Sequence, residues 1–173
     1  MTEADRHARN RDRLAECHGV FAYRARAVIA GMEQQHERPR AQDAWRSPIK
    51  QRVKYAAGLS KVQWGFHCAE TDDGRKEALA LDLVDDDDAN DDGDLNFSRG
   101  LGYVFLLARL ARVHKLSTGI DWDLPGPIKR GLWRAIEGHD LTWPIKNLGW
   151  DPCHLQPVDL TVRMARRGLR PSI

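Results

Sequence analysis

Two histidines of this chain stand among residues that suit metal chemistry. His67 ends the segment Trp-Gly-Phe-His, and His154 ends the segment Gly-Trp-Asp-Pro-Cys-His. Asp82 lies inside an apolar run, where an ionised carboxylate is costly unless it meets a cation or a metal ion. Asp151 precedes His154 by three residues, so a turn would bring their side chains together. This set predicts a divalent metal site, which needs about three protein ligands and one open position.

Each of these residues also has a structural explanation. A histidine in an apolar strand is more often a hydrogen-bonded core residue than a ligand. Asp82 is equally suited to pair with an arginine, and Asp151 before Pro152 is a common way to open a turn. Four tryptophans, at positions 64, 122, 143 and 150, are interpreted as core or pocket wall. These residues are therefore compatible both with a metal site and with purely structural roles.

Composition limits the class of protein. The 173 residues, 42% hydrophobic and 30% charged, fit one globular domain and exclude wholesale disorder. No apolar run approaches the roughly 18 residues that span a bilayer. The polar start lacks the apolar centre of a secretory signal, so we expect synthesis in the cytoplasm. Three widely spaced cysteines, Cys17, Cys68 and Cys153, indicate free thiols.

Charge is unevenly distributed along the chain. The window 70–96 holds 12 acidic and 2 basic residues, although the whole chain carries a net charge of +2. The pattern predicts a basic body with one solvated acidic loop at 85–94. Basic surface suits polyanions of several kinds, including bacterial cell walls, lipid headgroups and nucleic acid.

The acidic loop also contains half of a calcium-binding pattern. Asp88, Asn90 and Asp92 match the first ligand positions of an EF-hand loop. The twelfth position, where a bidentate glutamate closes such a site, is Arg99. A calcium site at these three residues and a solvated loop without an ion are the two alternatives.

Hydrophobic periodicity predicts an α+β fold. Ser47 followed by Pro48 is typical of a helix start, and Gly58 of its end. The other predicted elements are a helix over 13–32, a loop over 33–44, strands over 63–67 and 78–84, a helix over 98–113, and a helix introduced by Pro125 and Pro127.

Three blocks follow one another along the chain: Arg-Ser-Pro-x-x-Gln at 46–51, His67 followed later by Ala-Leu-Asp at 80–82, and Asp-x-x-His at 151–154. In this order they resemble the zinc peptidases of bacterial cell walls. These include D-alanyl-D-alanine carboxypeptidases and the L-alanyl-D-glutamate endopeptidases of phage endolysins. In the family the histidine usually precedes the aspartate by seven positions, whereas here His67 and Asp82 are 15 positions apart. We predict an enlarged hairpin at 69–76 that keeps the two adjacent.

The resemblance implies a fold and a set of roles. It implies a single domain over 1–173 with a small antiparallel sheet and flanking helices, of the hedgehog/D-Ala-D-Ala-peptidase-like kind. Within it, 1–44 would be a helical part, 45–157 the catalytic core and 158–173 a basic tail. Zinc would be bound by His67, Asp82 and His154, with Asp151 as general base. Arg46 would bind the substrate and stabilise the oxyanion.

The implied function is zinc-dependent cleavage of peptidoglycan stem peptides by a phage or prophage endolysin. The bond would be either L-alanyl-D-glutamate or a D,D linkage. The expected partner is the stem peptide, without nucleic acid or membrane insertion, and the enzyme would be a monomer that acts on the wall after release. A non-catalytic wall-binding or virion protein of this fold is one alternative, and a metal-dependent nuclease is another.

Overall fold

The computed structural model describes residues 1–87 and 101–172 and has an α+β architecture, as predicted. Among these residues, no helix has the length and apolarity needed to cross a membrane. The elements in chain order are α1 Glu3–Ala15, α2 Gly19–Gln34, β1 Pro39–Asp43, α3 Pro48–Ala56, β2 Leu81–Asp85, α4 Leu101–Val113, β3 Leu116–Gly119, α5 Gly126–Gly138, β4 Asp151–Pro157 and α6 Val162–Arg166.

The four strands form one antiparallel sheet in the order β1-β2-β4-β3. Side chains alternate between the two faces of a strand. Leu81 and Leu83 of β2 are fully buried in the core, and the Leu83 carbonyl accepts a hydrogen bond from the Tyr103 hydroxyl of α4 at 3.0 Å. Asp82, between them, lies on the opposite face. It is paired in register with His154 of β4, so both side chains project from the same face.

Helix α1 covers the outer edge of the sheet at β1. The side-chain amide of Asn10 donates to the Pro39 carbonyl at 3.0 Å and accepts from the Ala41 amide at 2.7 Å. Arg6 donates to the same Pro39 carbonyl at 2.9 Å. An edge strand exposes backbone groups that have no neighbouring strand to pair with. These side chains form hydrogen bonds with such groups of β1.

Two predicted helices are confirmed. In α3 the Ser47 side chain accepts a hydrogen bond from the Lys50 amide at 3.3 Å, and Pro48 occupies the first helical position. Gly58 follows the helix with a φ of 73°, a left-handed conformation that favours glycine. Helix α5 follows Pro125 as predicted, with Leu132 and Ile136 fully buried.

The predicted helix over 13–32 is wrong at its start. The chain forms α1 and α2 with a break at residues 16–18. There the Ala78 amide donates to the Glu16 carbonyl at 2.9 Å, and the His18 amide donates to the Ala78 carbonyl at 3.0 Å. Pairing with a segment sixty residues away therefore interrupts a stretch whose own periodicity is helical.

Other predictions also need correction. The predicted loop at 33–44 contains strand β1, and the predicted strand at 63–67 is mostly loop that ends in a 3₁₀ turn, Phe66–Cys68. The predicted turn at Asp151 and Pro152 is instead the start of strand β4, and strand β3 is not among the predicted elements. The α4 end at Val113 is confirmed, while its predicted start at Ser98 lies outside the described residues.

The two predictions for the region after His67 have different outcomes. Glu70 and Lys76 form an antiparallel bridge, which confirms the hairpin at 69–76. The solvated acidic loop is wrong at its start, because Asp85 is fully buried and the Asp86 side chain is only 5% exposed. The calcium ligands Asp88, Asn90 and Asp92 lie outside the described residues.

Candidate metal centre

Asp82 lies between two histidines on the cleft side of the sheet. Its Oδ1 atom is 3.2 Å from His67 Nε2 and 3.0 Å from His154 Nδ1. One ligand atom from each residue lies within 4.8 Å of the other two. Both histidines are buried and Asp82 is partly exposed. This group can hold a metal ion, since two imidazoles and a carboxylate are common ligands of divalent metals.

The backbone around His67 fixes the orientation of its ring. Its carbonyl accepts a hydrogen bond from the Arg46 amide at 2.9 Å, and the preceding Phe66 carbonyl accepts one from the Leu79 amide at 2.9 Å. His67 Nδ1 donates to the Ala44 carbonyl, because a carbonyl oxygen only accepts. Its Nε2 atom is thereby directed toward Asp82. Such a second hydrogen bond is typical of metal-binding histidines.

Electrostatics at the centre favour a charged Asp82. Burial alone would raise the pKa of Asp82, but His67 and His154 outweigh it and hold this pKa well below its ordinary value. Burial alone would lower the pKa of His67, and the Asp82 carboxylate raises it above its ordinary value. Asp82 is therefore ionised, as a metal ligand must be.

An irregularity in the sheet brings Asp151 to the same site. The pairing of β3 with β4 shifts between Thr118 and Gly119, so that Gly119 pairs with Asp151 while Thr118 pairs with Leu155. In a regular strand, residues three apart point to opposite faces. With this bulge, Asp151 Oδ2 lies 3.9 Å from His154 Nδ1. Burial raises the pKa of Asp151 above its ordinary value, although His154 partly offsets this.

Arg46 reaches the centre from the turn before α3. Its guanidinium donates to Gln51 Oε1 at 2.7 Å and through Nε to Asp43 Oδ2 at 3.0 Å, and its Nη2 lies 3.7 Å from Asp82 Oδ2. Gln51 is held in turn by donation to the Val62 carbonyl at 2.7 Å. Arg46 is 8% exposed, and these contacts hold its guanidinium at the wall of the cleft.

The centre lies in a cleft of about 370 Å³ with an aromatic wall. The Trp122 ring is 5.0 Å from the His154 ring and 5.5 Å from the Trp150 ring. Gly149 makes this wall possible, because a Cβ atom there would overlap the Gly119 carbonyl oxygen. Trp122 and Trp150 therefore line the pocket, whereas Trp64 and Trp143 pack against the core.

Two cleft lysines were not singled out as site residues from the sequence. Lys54 and Lys61 line the cleft; the Lys61 ammonium lies 4.9 Å from the Trp150 ring centre and forms an ion pair with Asp123. The sequence signal that could have identified them is the absence of any acidic residue between positions 44 and 69.

A larger depression of about 890 Å³ lies elsewhere, against α4 and α5. Its described lining contains one carboxylate, Glu137, and neither histidine nor cysteine. A metal ion requires several such ligands, so the smaller cleft is the candidate site.

The fold and the cleft together define an α+β domain with a buried His-Asp-His group able to hold a metal ion. The chain matches no protein-family model and no curated protein sequence.

Proposed function

We propose that this protein is a zinc-dependent peptidase that cleaves the stem peptides of bacterial peptidoglycan, as a phage or prophage endolysin. The observation that carries the proposal is the position of Asp151. A second carboxylate with a raised pKa lies next to the His67, Asp82 and His154 group, in a cleft open to solvent. Hydrolysis by a metallopeptidase needs this combination of three ligands and a nearby base.

The donor set supports zinc in particular. Two imidazole nitrogens and one carboxylate oxygen match the ligands of catalytic zinc sites, whereas calcium and magnesium prefer oxygen ligands alone. The hydrogen bond from His67 to the Ala44 carbonyl leaves Nε2 as the ligand atom. Bound zinc would polarise a carbonyl group and lower the pKa of a water molecule.

Asp151 is the proposed general base. Its raised pKa lies closer to neutral pH than that of an ordinary aspartate, which favours taking a proton from water and returning it to the leaving amine. The carboxylate is held by strand β4 and the bulge opposite Thr118, so its position relative to His154 is fixed by the sheet. A fixed base costs little reorganisation during the reaction.

Arg46 is the proposed electrostatic partner of the substrate. A guanidinium is permanently charged and offers donors in a planar fork, which suits a carboxylate or a developing oxyanion. Asp43 and Gln51 hold it at the cleft wall. With Lys54 and Lys61 on the same cleft, the charge suits a peptide that carries free carboxylates, as peptidoglycan stems do.

The test is mass spectrometry of the fragments released from purified peptidoglycan. The protein is used as isolated, after chelation, and after chelation followed by zinc. We expect stem-peptide fragments or new amino termini that chelation abolishes and zinc restores, and the fragment masses identify the bond. His154→Ala should release none, whereas the control His114→Ala, which changes a histidine outside the cleft, should match the wild type.

Three results would contradict the proposal. They are release that survives chelation, release by His154→Ala, and absence of release from walls of several chemistries by zinc-loaded protein. The last result would favour a non-catalytic wall-binding protein.

A further inference from the structure

Helix α3 has its polar and apolar sides reversed relative to a normal surface helix. Ile49 and Val53, which are one turn apart, are 67% and 64% exposed. Gln51 on the opposite side is 2% exposed and makes hydrogen bonds with Arg46, Ser60 and the Val62 carbonyl. A surface helix ordinarily buries its apolar residues and exposes its polar ones. The apolar side of α3 therefore faces outward.

The exposed apolar residues continue past the end of the helix. Leu59 and Val62 are 72% and 44% exposed, and Tyr55 is 42% exposed. Among the described residues, five of the fourteen exposed large hydrophobic side chains fall within 49–62. Scattered exposed apolar residues need no explanation, but such a concentration is typical of an interaction surface.

The same segment is strongly basic. Residues 44–69 include five lysines and arginines and no aspartate or glutamate. Lys50 and Arg52 flank Ile49 and Val53 and are exposed. The nearest preceding carboxylate, Asp43, is already engaged by Arg46 and lies 3.6 Å from the Lys54 ammonium. Exposed aliphatic side chains bordered by cations match the requirements of an anionic lipid surface.

We propose that the α3 surface, defined as Ile49, Val53, Lys50 and Arg52 with Leu59 and Val62, docks the protein onto anionic lipid bilayers. The aliphatic side chains enter the headgroup boundary, and the long basic side chains keep their charges at the phosphates. A second copy of the chain fits less well. A two-fold contact would oppose the same cations without any carboxylate in the patch.

Docking through this surface also brings the catalytic cleft near the bilayer. Lys54, Leu59 and Val62 belong to the segment 49–62 and also line the cleft. The proposed lipid surface is independent of the metal centre, because none of its four helical residues is a proposed ligand. The protein would attach to the bilayer surface in addition to its proposed peptidase function. Such peripheral attachment is compatible with the expectation that the chain does not insert across the membrane.

The test is sedimentation of the full-length protein with vesicles. One set contains phosphatidylglycerol and phosphatidylcholine, and the other contains phosphatidylcholine alone. Wild type should bind the anionic vesicles and be released by raised salt. The double variant Ile49→Ser, Val53→Ser should bind at least about tenfold less, because two aliphatic side chains no longer leave water. Serine and valine have similar helix propensities, so α3 should remain folded.

A matched control removes equally exposed aliphatic residues elsewhere. Val113→Ser combined with Val158→Ser changes residues that are 73% and 58% exposed, and its vesicle binding should equal the wild type. The charge requirement is tested by Lys50→Ser with Arg52→Ser, which should also weaken binding. Circular dichroism checks that each variant is folded.

Three outcomes would overturn the proposal. The first is that wild type does not bind anionic vesicles. The second is that Ile49→Ser, Val53→Ser binds as well as wild type, which would assign the attraction to other basic surface such as the tail. The third is a wild-type dimer in light scattering that this variant converts to monomer, without vesicle binding, which would assign the surface to self-association.

Discussion

Asp82 of β2 and Asp86, which directly follows β2, lie four residues apart, yet their partners differ in kind. Asp82 meets the imidazoles of His67 and His154 beside an open cleft. Asp86 meets the guanidinium groups of Arg38 and Arg40 at 3.2 and 2.9 Å. Imidazoles lose their protons and accept a metal ion, whereas arginines stay charged. The first carboxylate therefore belongs to the candidate metal site, and the second stabilises the fold through its ion pairs.

The largest effect is expected from removing the first carboxylate. Asp82→Ala takes away one of the three proposed ligands, so zinc affinity should fall by more than the roughly 100-fold that loss of a supporting residue costs. Peptidoglycan cleavage should disappear with the metal. Zinc content by inductively coupled plasma mass spectrometry after dialysis measures this. Zinc retained at one per chain would show that Asp82 is not a ligand.

Asp151→Asn distinguishes the role of the proposed general base from that of the proposed metal ligands. Zinc content should stay at the wild-type level, while peptidoglycan turnover falls by about 10²- to 10⁴-fold, the usual contribution of a general base. Turnover is measured as the initial rate of fragment release. A variant that loses its zinc as well would assign Asp151 to the metal ligands instead.

Asp86→Asn should have the opposite pattern to Asp82→Ala. It removes the negative charge 2.9 Å from the buried Arg40 guanidinium, and we expect a loss of about 3 kcal/mol in the free energy of unfolding. Zinc content should be unchanged. Urea denaturation measures the stability, with Asp73→Asn as control because the Asp73 and Arg75 ion pair is exposed. Zinc loss in Asp86→Asn without destabilisation would show that Asp86 contributes to metal binding and not to the stability of the fold.

The smallest effect is expected at Asp159, a partly exposed carboxylate paired with buried Arg24 at 3.1 Å. The hydrogen bond from Arg24 lowers the pKa of Asp159 below its ordinary value. The pair therefore stabilises the fold above about pH 4 and loses this effect as the pH falls through the lowered pKa. Asp159→Asn should cost at most about 1 kcal/mol at pH 7, because solvent screens the pair.

This pH dependence can be measured by urea unfolding. The difference in unfolding free energy between wild type and Asp159→Asn should shrink from pH 7 to pH 2.5. A difference that grows over that range would mean that the carboxylate is stabilised in its protonated form, against the assigned ion pair.

Local sequence signals predicted the elements whose causes are local. The Ser47 and Pro48 start of α3 and the proline start of α5 depend on nearby residues, and both predictions are confirmed. The apolar run at 78–84 predicted a strand for the same reason, and 81–84 of that run lie in β2, whereas 78–80 precede it. The break between α1 and α2 could not be predicted, because Ala78 causes it through backbone hydrogen bonds.

The site was predictable in its residue types but not in its geometry. The cost of burying Asp82 in an apolar strand pointed to a cationic or metal partner. The register that pairs Asp82 with His154, and the bulge that turns Asp151 to the same face, depend on strands β3 and β4, which were not predicted. The burial of Asp86 depends on ion pairs with Arg38 and Arg40, at and just before β1. The density of acidic residues alone therefore wrongly predicted that Asp86 lies in a solvated loop.

X-ray absorption at the zinc edge reports the atoms bound to zinc, so it can identify the metal ligands of this protein. We expect one zinc per chain with only nitrogen and oxygen neighbours at about 2.0 to 2.2 Å, and loss of this signal in Asp82→Ala. A sulfur neighbour at about 2.3 Å would contradict this expectation by assigning the metal to a cysteine such as Cys68 or Cys153. Protein that takes up no zinc would contradict it as well.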